Sequence, residues 1–397
     1  MKSALGEVFV ELKILLTCDL FPKFGTMYAR YLGKNLVAKG HEVHVLTSTY
    51  IDHNKRSHVN EEVIDGILVH RIPSFHMKVF PYVVTPSAPL ELAQTVKKYD
   101  IDIVNGLHLV HYTTWTAFLA KKLTEFPLVY SVLGPRLSFG ESRIYKAKII
   151  FEYSVARLAL NACEAIIADC NASKESVTAI EVDETKISVI PDGVDTNKFH
   201  PLEKSQELCE KYRIATNDKV IAYVGSLTET KGPDVLLKAL PRIRRKVPNV
   251  KLLVVGDGPL RVRLEHEARE LGVGDIITFM GYRLHDELPN IMNLAHLGIV
   301  PSRSEGISLA LLEFMACGKA VVATRVGGNT EVVQHNINGI LVEPKNPSSL
   351  ADGIIQALSQ CRNEEMGKNA RTLSLQYDWS VVASRISEVY HNLINNS

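Results

Sequence analysis

Apolar runs of strand length alternate with segments of helical spacing along most of this chain. The first run, "LKILLTCDLFP", is followed by "GTMYARYLGKNLVAKG", which has helical spacing and closes on Gly40, a residue typical of helix ends. The pattern then returns to a strand in "HEVHVLTS". Strands that are apolar throughout and separated by helices predict a parallel sheet that helices cover on both faces.

The same alternation runs through the chain in two successive series. Strand-like runs of the first series are "GILVHRI", "DIVNGL", "PLVYSVLG", "AIIADC" and "ISVIPDGV", and those of the second are "KVIAYVGSL", "VKLLVVGDGP", "IITFMGY", "LGIVPS" and "AVVATRVGG". We therefore predict an α/β fold of two doubly wound, Rossmann-like domains, residues 1–198 and 199–378, that face each other across a cleft. We also hypothesise that a C-terminal helix over residues 379–397 packs back on the first domain.

One predicted helix carries an acidic residue in an apolar sequence. In "SEGISLALLEFMACG", residues 304–318, the positions from 307 to 317 are almost entirely apolar apart from Glu313. This composition predicts a helix buried on every side. A buried carboxylate needs hydrogen-bond donors, which either the protein or a ligand must supply.

The start of this helix is the first candidate for chemistry. We expect Gly306, Ile307 and Ser308 to form its first turn, where free N–H groups and the helix dipole attract an anion such as a diphosphate. Glu305 then lies just outside the helix and Glu313 almost two turns inside it. Two acceptors on either side of an anion site suit a nucleotide sugar. The spacing alone fits a purely structural arrangement equally well. In that arrangement Glu305 complements the helix dipole and Glu313 caps a hydrogen-bond network inside the protein.

Composition narrows the class of protein. The chain has 45 Lys and Arg against 44 Asp and Glu, spread evenly along it, which argues against a nucleic-acid partner. The six cysteines form no C-x-x-C pair, which is typical of a reducing compartment. No apolar run approaches the length of about 18 residues that a membrane span needs, and Glu7 and Glu11 interrupt any secretory signal. We expect a cytoplasmic enzyme, with peripheral membrane contact left open.

Longer motifs carry a resemblance to a known family. The run "PSRSEGISLALLEFMACGKAVVATRVGGNTEVV" and the downstream "NGILVEP" resemble the donor-site signature of retaining glycosyltransferase family 4, also called glycosyl transferases group 1, in which two Glu residues are separated by seven positions. Other segments agree in order and spacing: "KISVIPDGVDTNKFHP", "YVGSLTETKGPDVLLKAL", "VGDGPLRVRLE" and "YDWSVVASRISEVY". The resemblance covers nearly the whole chain and is specific for the family but weak for the substrate.

The resemblance implies a GT-B architecture and transfer of a sugar from a nucleotide diphosphate sugar to an acceptor, with retention at the anomeric carbon and without a metal ion or other cofactor. Glu305 would contact the donor sugar, Glu313 the ribose and Lys231 the diphosphate, so that Glu305 and Lys231 are the catalytic candidates. Gly25 matches a glycine loop that approaches the donor. Further donor-binding candidates are Ser226, Gly258, Tyr282, Gly306, Ile307, Ser308 and Leu309.

The sequence departs from the family pattern where a second glycine, an arginine and a histidine are usual. The residues found there are Thr26, Ser226 and Leu133. Diphosphate binding would then rest on Lys231 and on helix N-termini, with Arg136 or Arg303 as substitute cations. Whether His108 replaces the missing imidazole stays open.

Other functions fit parts of the sequence. The departures leave open a noncatalytic nucleotide-sugar-binding subunit, and the fold leaves open a sugar-nucleotide epimerase or a phosphorylase-like enzyme. The D-x-D at Asp100 to Asp102 is interpreted as a solvated turn rather than a metal site. The acceptor is unknown. Residues 143–160 mix basic and apolar side chains, which fits either an ordinary domain helix or a surface that contacts a membrane.

Overall fold

The computed structural model of this chain describes residues 10–19, 21, 27–50, 56–76, 83–107, 112–134, 154–359 and 362–395. The strands are β1 (Lys13–Thr17), β2 (Glu42–Ser48), β3 (Glu61–Ile64), β4 (Ile67–Ile72), β5 (Phe75–His76), β6 (Val83–Val84), β7 (Ile103–Leu107), β8 (Leu128–Val132), β9 (Ala165–Ala168), β10 (Ile187–Val189), β11 (Lys219–Val224), β12 (Val250–Val255), β13 (Ile277–Gly281), β14 (Leu297–Val300), β15 (Ala320–Thr324) and β16 (Gly339–Val342).

Helices separate most of these strands, as the sequence predicts. They are α1 (Met27–Ala38), α2 (Ala88–Tyr99), α3 (Tyr112–Ala120), α4 (residues 154–162), α5 (Asn171–Thr178), α6 (Gln206–Lys211), α7 (Pro233–Lys246), α8 (Arg261–Glu270), α9 (Leu288–Leu294), α10 (Leu309–Ala316), α11 (Asn329–Val332), α12 (Pro347–Ser359), α13 (Arg362–Ser374) and α14 (Trp379–Asn395).

Two large sheets organise the described residues, and β5 and β6 form a separate short antiparallel pair. One has the strand order β10-β9-β8-β7-β1-β2-β4-β3, with every neighbouring pair parallel except β3 and β4. The other has the order β13-β12-β11-β14-β15-β16 and is parallel throughout. Buried apolar side chains lie on both faces of each sheet. The predicted α/β fold of two doubly wound domains is therefore confirmed.

Strand β3 was not predicted, and the physical reason is its position. Its sequence "EEVI" begins with two acidic residues and its side chains are exposed or half-buried along the whole strand. It pairs antiparallel with β4 at the edge of the first sheet, where charged side chains discourage pairing with another chain. Such an edge strand lacks the continuous apolar run by which the central strands were found.

The last helix, α14, returns to the first sheet. Its residues Trp379, Val382, Ile386 and Tyr390 are buried in the same apolar cluster as strands β1 and β2. The side-chain amide of Asn105 on β7 donates a hydrogen bond of 2.6 Å to the hydroxyl of Tyr390. Both ends of the described chain therefore contribute to one core, while the domain limit at residue 198 stays a prediction.

Several smaller predictions concern single residues. Asp100 closes α2 in the left-handed conformation, and Asp102 accepts a hydrogen bond from the backbone of Lys13, so the D-x-D lies at a helix-to-strand junction. Four described cysteines are buried free thiols and Cys209 is half-buried, while Cys361 lies outside the described residues. Among the helices of the described residues, none has the length and apolar character needed to cross a membrane.

Candidate active site

A cleft with a volume of about 500 Å³ lies between the two sheets at the carboxyl ends of their strands. This is the edge at which open parallel sheets bind ligands. The wall from the first sheet includes the residues that follow β8, β9 and β10, namely Leu133, Gly134, Asp169 and Asp192. The wall from the second sheet includes seven of the predicted residues: Lys231, Glu305, Gly306, Ile307, Ser308, Leu309 and Glu313.

Glu305 is buried and held by two side chains. Lys231 Nζ lies 2.8 Å from its Oε1 and 2.7 Å from its Oε2, and Ser302 Oγ donates to Oε1 at 2.7 Å. These donors offset the cost of burying the carboxylate. The Lys231 side chain is 35% exposed, whereas that of Glu305 is 7% exposed. The ammonium group of Lys231 therefore remains accessible to an anion in the cleft.

A glycine brings Lys231 to this position. Gly232 has a φ of +65°, and a Cβ atom there would lie 2.1 Å from the carbonyl oxygen of Pro301. Only glycine allows the loop after β11 to pass so close to the loop after β14. The lysine that precedes the glycine is therefore placed beside Glu305, which belongs to that second loop.

Glu313 has a protein partner, His285, that the sequence alone does not reveal. Its Oε1 lies 2.7 Å from Nε2 of His285, and the other ring nitrogen, Nδ1, lies 2.9 Å from Nζ of Lys198. Lys198 can only donate, so Nδ1 accepts and Nε2 carries the proton that it donates to Glu313. The ring also packs against Phe199, with 4.9 Å between the ring centroids. A buried acidic residue in an apolar helix indicates that a hydrogen-bond donor lies near it, but no pattern in the sequence identifies His285 as that donor.

The prediction that residues 306–308 form the first turn of the helix is wrong. Helix α10 begins at Leu309, and Ser308 before it is extended, with a ψ of 119°. Gly306 is pressed against the opposite wall, because a Cβ atom there would lie 1.9 Å from Oδ2 of Asp169 and 2.7 Å from Cα of Gly134. Glu313 is consequently the fifth helical residue, just over one turn inside rather than almost two.

Asp169 lies at this meeting point of the two walls. It accepts hydrogen bonds from the backbone N–H of Gly134 at 2.7 Å and from Ser173 Oγ at 2.5 Å. Burial raises the pKa of Asp169, while these donors and the nearby N–H of Ile307 oppose the rise. The adjacent backbone N–H of Asn171 donates to Glu331 of the second domain at 2.8 Å. The walls thus touch through polar groups at one end of the cleft.

The remaining candidates lie elsewhere or outside the described residues. Ser226 and Tyr282 are exposed, and neither they nor Gly258 line the cleft. A Cβ atom at Gly258 would lie 2.7 Å from the carbonyl oxygen of Leu227, so this glycine lets two loops pack together. Four predictions fall on undescribed residues: Gly25, Thr26, His108 and Arg136.

Arg303 does not line the cleft. Its guanidinium forms a two-pronged salt bridge with Asp234, at 2.8 and 2.6 Å. Leu133, by contrast, does line the cleft at the position where the resemblance leads one to expect a histidine. Among the described residues, no group of three or more His, Cys, Asp or Glu side chains is arranged to hold a metal ion.

Two facing Rossmann-like sheets with a cleft at their carboxyl ends define the GT-B class of glycosyltransferases, and the comparisons with known proteins agree. The sequence profile described as Glycosyl transferases group 1 matches residues 204–373, and the profile described as Glycosyltransferase Family 4 matches residues 25–198. This chain belongs to glycosyltransferase family 4.

Individual relatives are similar over most of the chain. D-inositol 3-phosphate glycosyltransferase of Corynebacterium urealyticum is 32% identical, over 72% of this chain and 71% of the relative. N-acetyl-alpha-D-glucosaminyl L-malate synthase of Bacillus anthracis is 26% identical, over 98% of this chain and 98% of the relative. The crystal structure of Anabaena HepE in complex with UDP has a TM-score of 0.76 at 22% identity and covers 96% of this chain and 100% of that chain.

Proposed function

We propose that this chain is a retaining glycosyltransferase that transfers a sugar from a nucleotide diphosphate sugar to a hydroxyl group of an acceptor, without a bound metal ion. The acceptor is a glycan, a glycolipid or a small molecule. The observation that carries the proposal is the pair of Lys231 and Glu305 in the cleft, with a lysine that is accessible and a carboxylate that is buried. The UDP bound by HepE, which shares the fold, supports a nucleotide donor.

The pair suggests how the donor is handled. A diphosphate that enters the cleft competes with Glu305 for the ammonium group of Lys231, and charge-assisted hydrogen bonds favour the phosphate oxygens when several can be made. Glu305 keeps its bond from Ser302 and gains a free oxygen for hydroxyl groups of the donor sugar. Lys231 then lies where negative charge develops on the leaving diphosphate, which is the placement that accelerates such a reaction.

A noncatalytic nucleotide-sugar-binding subunit is the second candidate. It is favoured by Leu133, a side chain that can neither donate nor accept a proton, at a position on the cleft wall where the family usually has a histidine. Product analysis after incubating the purified chain with UDP-, GDP- and ADP-sugars separates the two candidates. Transfer to an acceptor, or donor hydrolysis lost in Lys231→Met, supports the enzyme. Nucleotide binding without any turnover supports the subunit.

Peripheral membrane contact through residues 143–160 also stays a proposal, since residues 143–153 lie outside the described part of the chain. Sedimentation with anionic liposomes tests it. Binding at low salt that disappears in a Lys146→Glu, Lys148→Glu variant supports membrane contact by this segment, because basic side chains near an anionic surface supply the attraction. No binding at low salt removes the proposal and favours a soluble acceptor.

A further inference from the structure

Two carboxylates lie side by side on the wall of the cleft that the first sheet provides. Asp169 directly follows β9, and Asp192 lies three residues after β10. Because β9 and β10 are parallel neighbours, both side chains emerge at the same edge of the sheet. Both line the cleft opposite Lys231 and Glu305. They therefore face the proposed donor site from the domain that would hold the acceptor.

The two carboxylates differ in their hydrogen bonds. Asp169 is satisfied by donors from Gly134 and Ser173. Asp192 is 8% exposed, and its Oδ1 is buried without a hydrogen-bond partner in the described part of the chain. A buried polar oxygen without a partner is destabilising unless something supplies a donor. Asp192 thus lines the cleft and keeps an unused hydrogen-bonding oxygen just beneath the surface of the cleft.

The charge state follows from the same difference. Burial, and secondarily the carboxylate of Asp169, raises the pKa of Asp192 well above its ordinary value. Two neighbouring carboxylates in a buried site favour holding one proton between them, and it resides on the member that lacks donors. Asp169, which has hydrogen-bond donors, is the member that favours the ionised form, and a protonated Asp192 has an O–H group that donates and a carbonyl oxygen that accepts.

The loop that carries Asp192 is held rigidly. A Cβ atom at Gly193 would lie 2.5 Å from the indole ring of Trp379, so the backbone packs directly on α14. The backbone N–H of Ile190 donates to Ala168 at 2.9 Å, and that of Val194 donates to Tyr377 at 2.7 Å. Asp192 lies between these two anchors. The backbone at Asp192 is therefore held on both sides, so binding a ligand there does not require this loop to become ordered.

We propose that Asp192 binds a hydroxyl group of the acceptor, and that the pair of Asp192 and Asp169 selects a neutral polyol over its phosphorylated or carboxylated counterpart. This inference rests on the proposed function. A hydroxyl group both donates and accepts, which matches the two groups that Asp192 offers. An anionic group at the same place would meet the carboxylate of the neighbouring Asp169, and like charges that are close together repel more strongly beside a protein surface than in bulk water. Asp192 is a binding and positioning residue in this proposal.

The test compares matched neutral and anionic probes. Affinities of the full chain for myo-inositol and D-inositol 3-phosphate, and for glucose and glucose 6-phosphate, are measured by isothermal titration in the presence of saturating UDP, GDP or ADP. We expect at least about tenfold tighter binding of the neutral member of a pair, on the scale of repulsion between nearby charges at reduced dielectric. Equal or tighter binding of the phosphates, or no binding of any polyol, would overturn the proposal.

Variants identify the residues. Asp192→Ala should weaken polyol binding about tenfold, the scale of one lost hydrogen bond from a buried group, while nucleotide affinity and melting temperature stay unchanged. Asp192→Asn keeps a donor and an acceptor and should stay within about threefold of the wild type. Asp352→Ala, which removes a surface aspartate that pairs with Arg242 away from the cleft, is the control. Unchanged polyol affinity in Asp192→Ala refutes the role of Asp192.

A second variant, Asp169→Asn, keeps the proposal testable if Asp192→Ala does not fold. Asp169→Asn removes the negative charge and should abolish the preference for the neutral probe, so that the affinity ratio within each pair falls to about one. A ratio that stays at the wild-type value would refute the selection mechanism. Polyol binding through Asp192 in a chain that binds none of the nucleotides would instead refute the proposed donor site, while the polyol site at Asp192 would still stand.

Discussion

The hydrogen bond between His285 and Glu313 leads to a sharp prediction for His285→Ala. The substitution removes the donor that lies 2.7 Å from Oε1 of Glu313 and leaves that carboxylate, whose side chain is 7% exposed, without a hydrogen bond in the described part of the chain. An unsatisfied buried acceptor costs about 1 to 3 kcal/mol. His285 itself is 21% exposed, so water can partly replace it, and we expect a loss of about 2 kcal/mol, in the middle of that range.

Thermal unfolding measures this loss. A change of about 2 kcal/mol corresponds to a fall of roughly 4 to 8 °C in the melting temperature of a domain of this size. Glu313→Gln, whose side-chain carbonyl still accepts from Nε2, is the matched control and should change the melting temperature much less. The double variant His285→Ala, Glu313→Leu removes both partners and should recover part of the loss, because an apolar pair leaves no group unsatisfied.

The same measurement bears on the role proposed for Glu313. If ribose hydroxyls donate to this carboxylate, saturating nucleotide should narrow the difference between His285→Ala and the wild type, since the ligand supplies the missing donors. A His285→Ala variant that melts within about 1 °C of the wild type would refute the reasoning, because it would mean that His285 is not what stabilises the buried carboxylate.

Three further predictions follow from other parts of the site and the fold. Lys231→Met should lower the rate of transfer at least about 100-fold, as expected for losing a charge that stabilises a leaving group, while Lys238→Met, on the outer part of α7, should change steady-state rates little. Transfer should persist in excess EDTA, and a loss of product that Mg²⁺ or Mn²⁺ restores would contradict metal independence. Burial, with nearby lysines, lowers the pKa of His296 from 6.5 to about 4, so the folded state favours the neutral ring. The stability that this preference provides should be lost as the pH falls from 6.5 towards 4. In His296→Gln the melting temperature should therefore fall less between pH 6.5 and pH 4 than in the wild type.

Much of this fold follows from local sequence. Continuous apolar strands separated by helical segments predicted two parallel sheets, because a strand buried on both faces has to be apolar on both. The charged edge strand β3 escaped prediction since only one of its faces meets the core. Helix α10 was recognised because nearly all its positions are apolar, yet its first residue was placed three positions too early. Gly306 instead lies against Asp169, where the two walls of the cleft meet, and such contacts across the cleft are not visible in a local pattern.

The features of the active site can be separated in the same way into those that the sequence shows and those that only the tertiary structure shows. The sequence by itself determined the family, the presence of Lys231 and Glu305 in segments at strand ends, and the existence of a buried acid in an apolar helix, since these depend on residue types at fixed spacing. The tertiary structure alone decided the partner of that acid. His285 reaches Glu313 from a different loop, and Lys198 fixes which ring nitrogen carries the proton. The pair of Asp169 and Asp192 is likewise invisible in sequence, because the two loops, which α5 separates in the chain, become neighbours only when β9 and β10 pair.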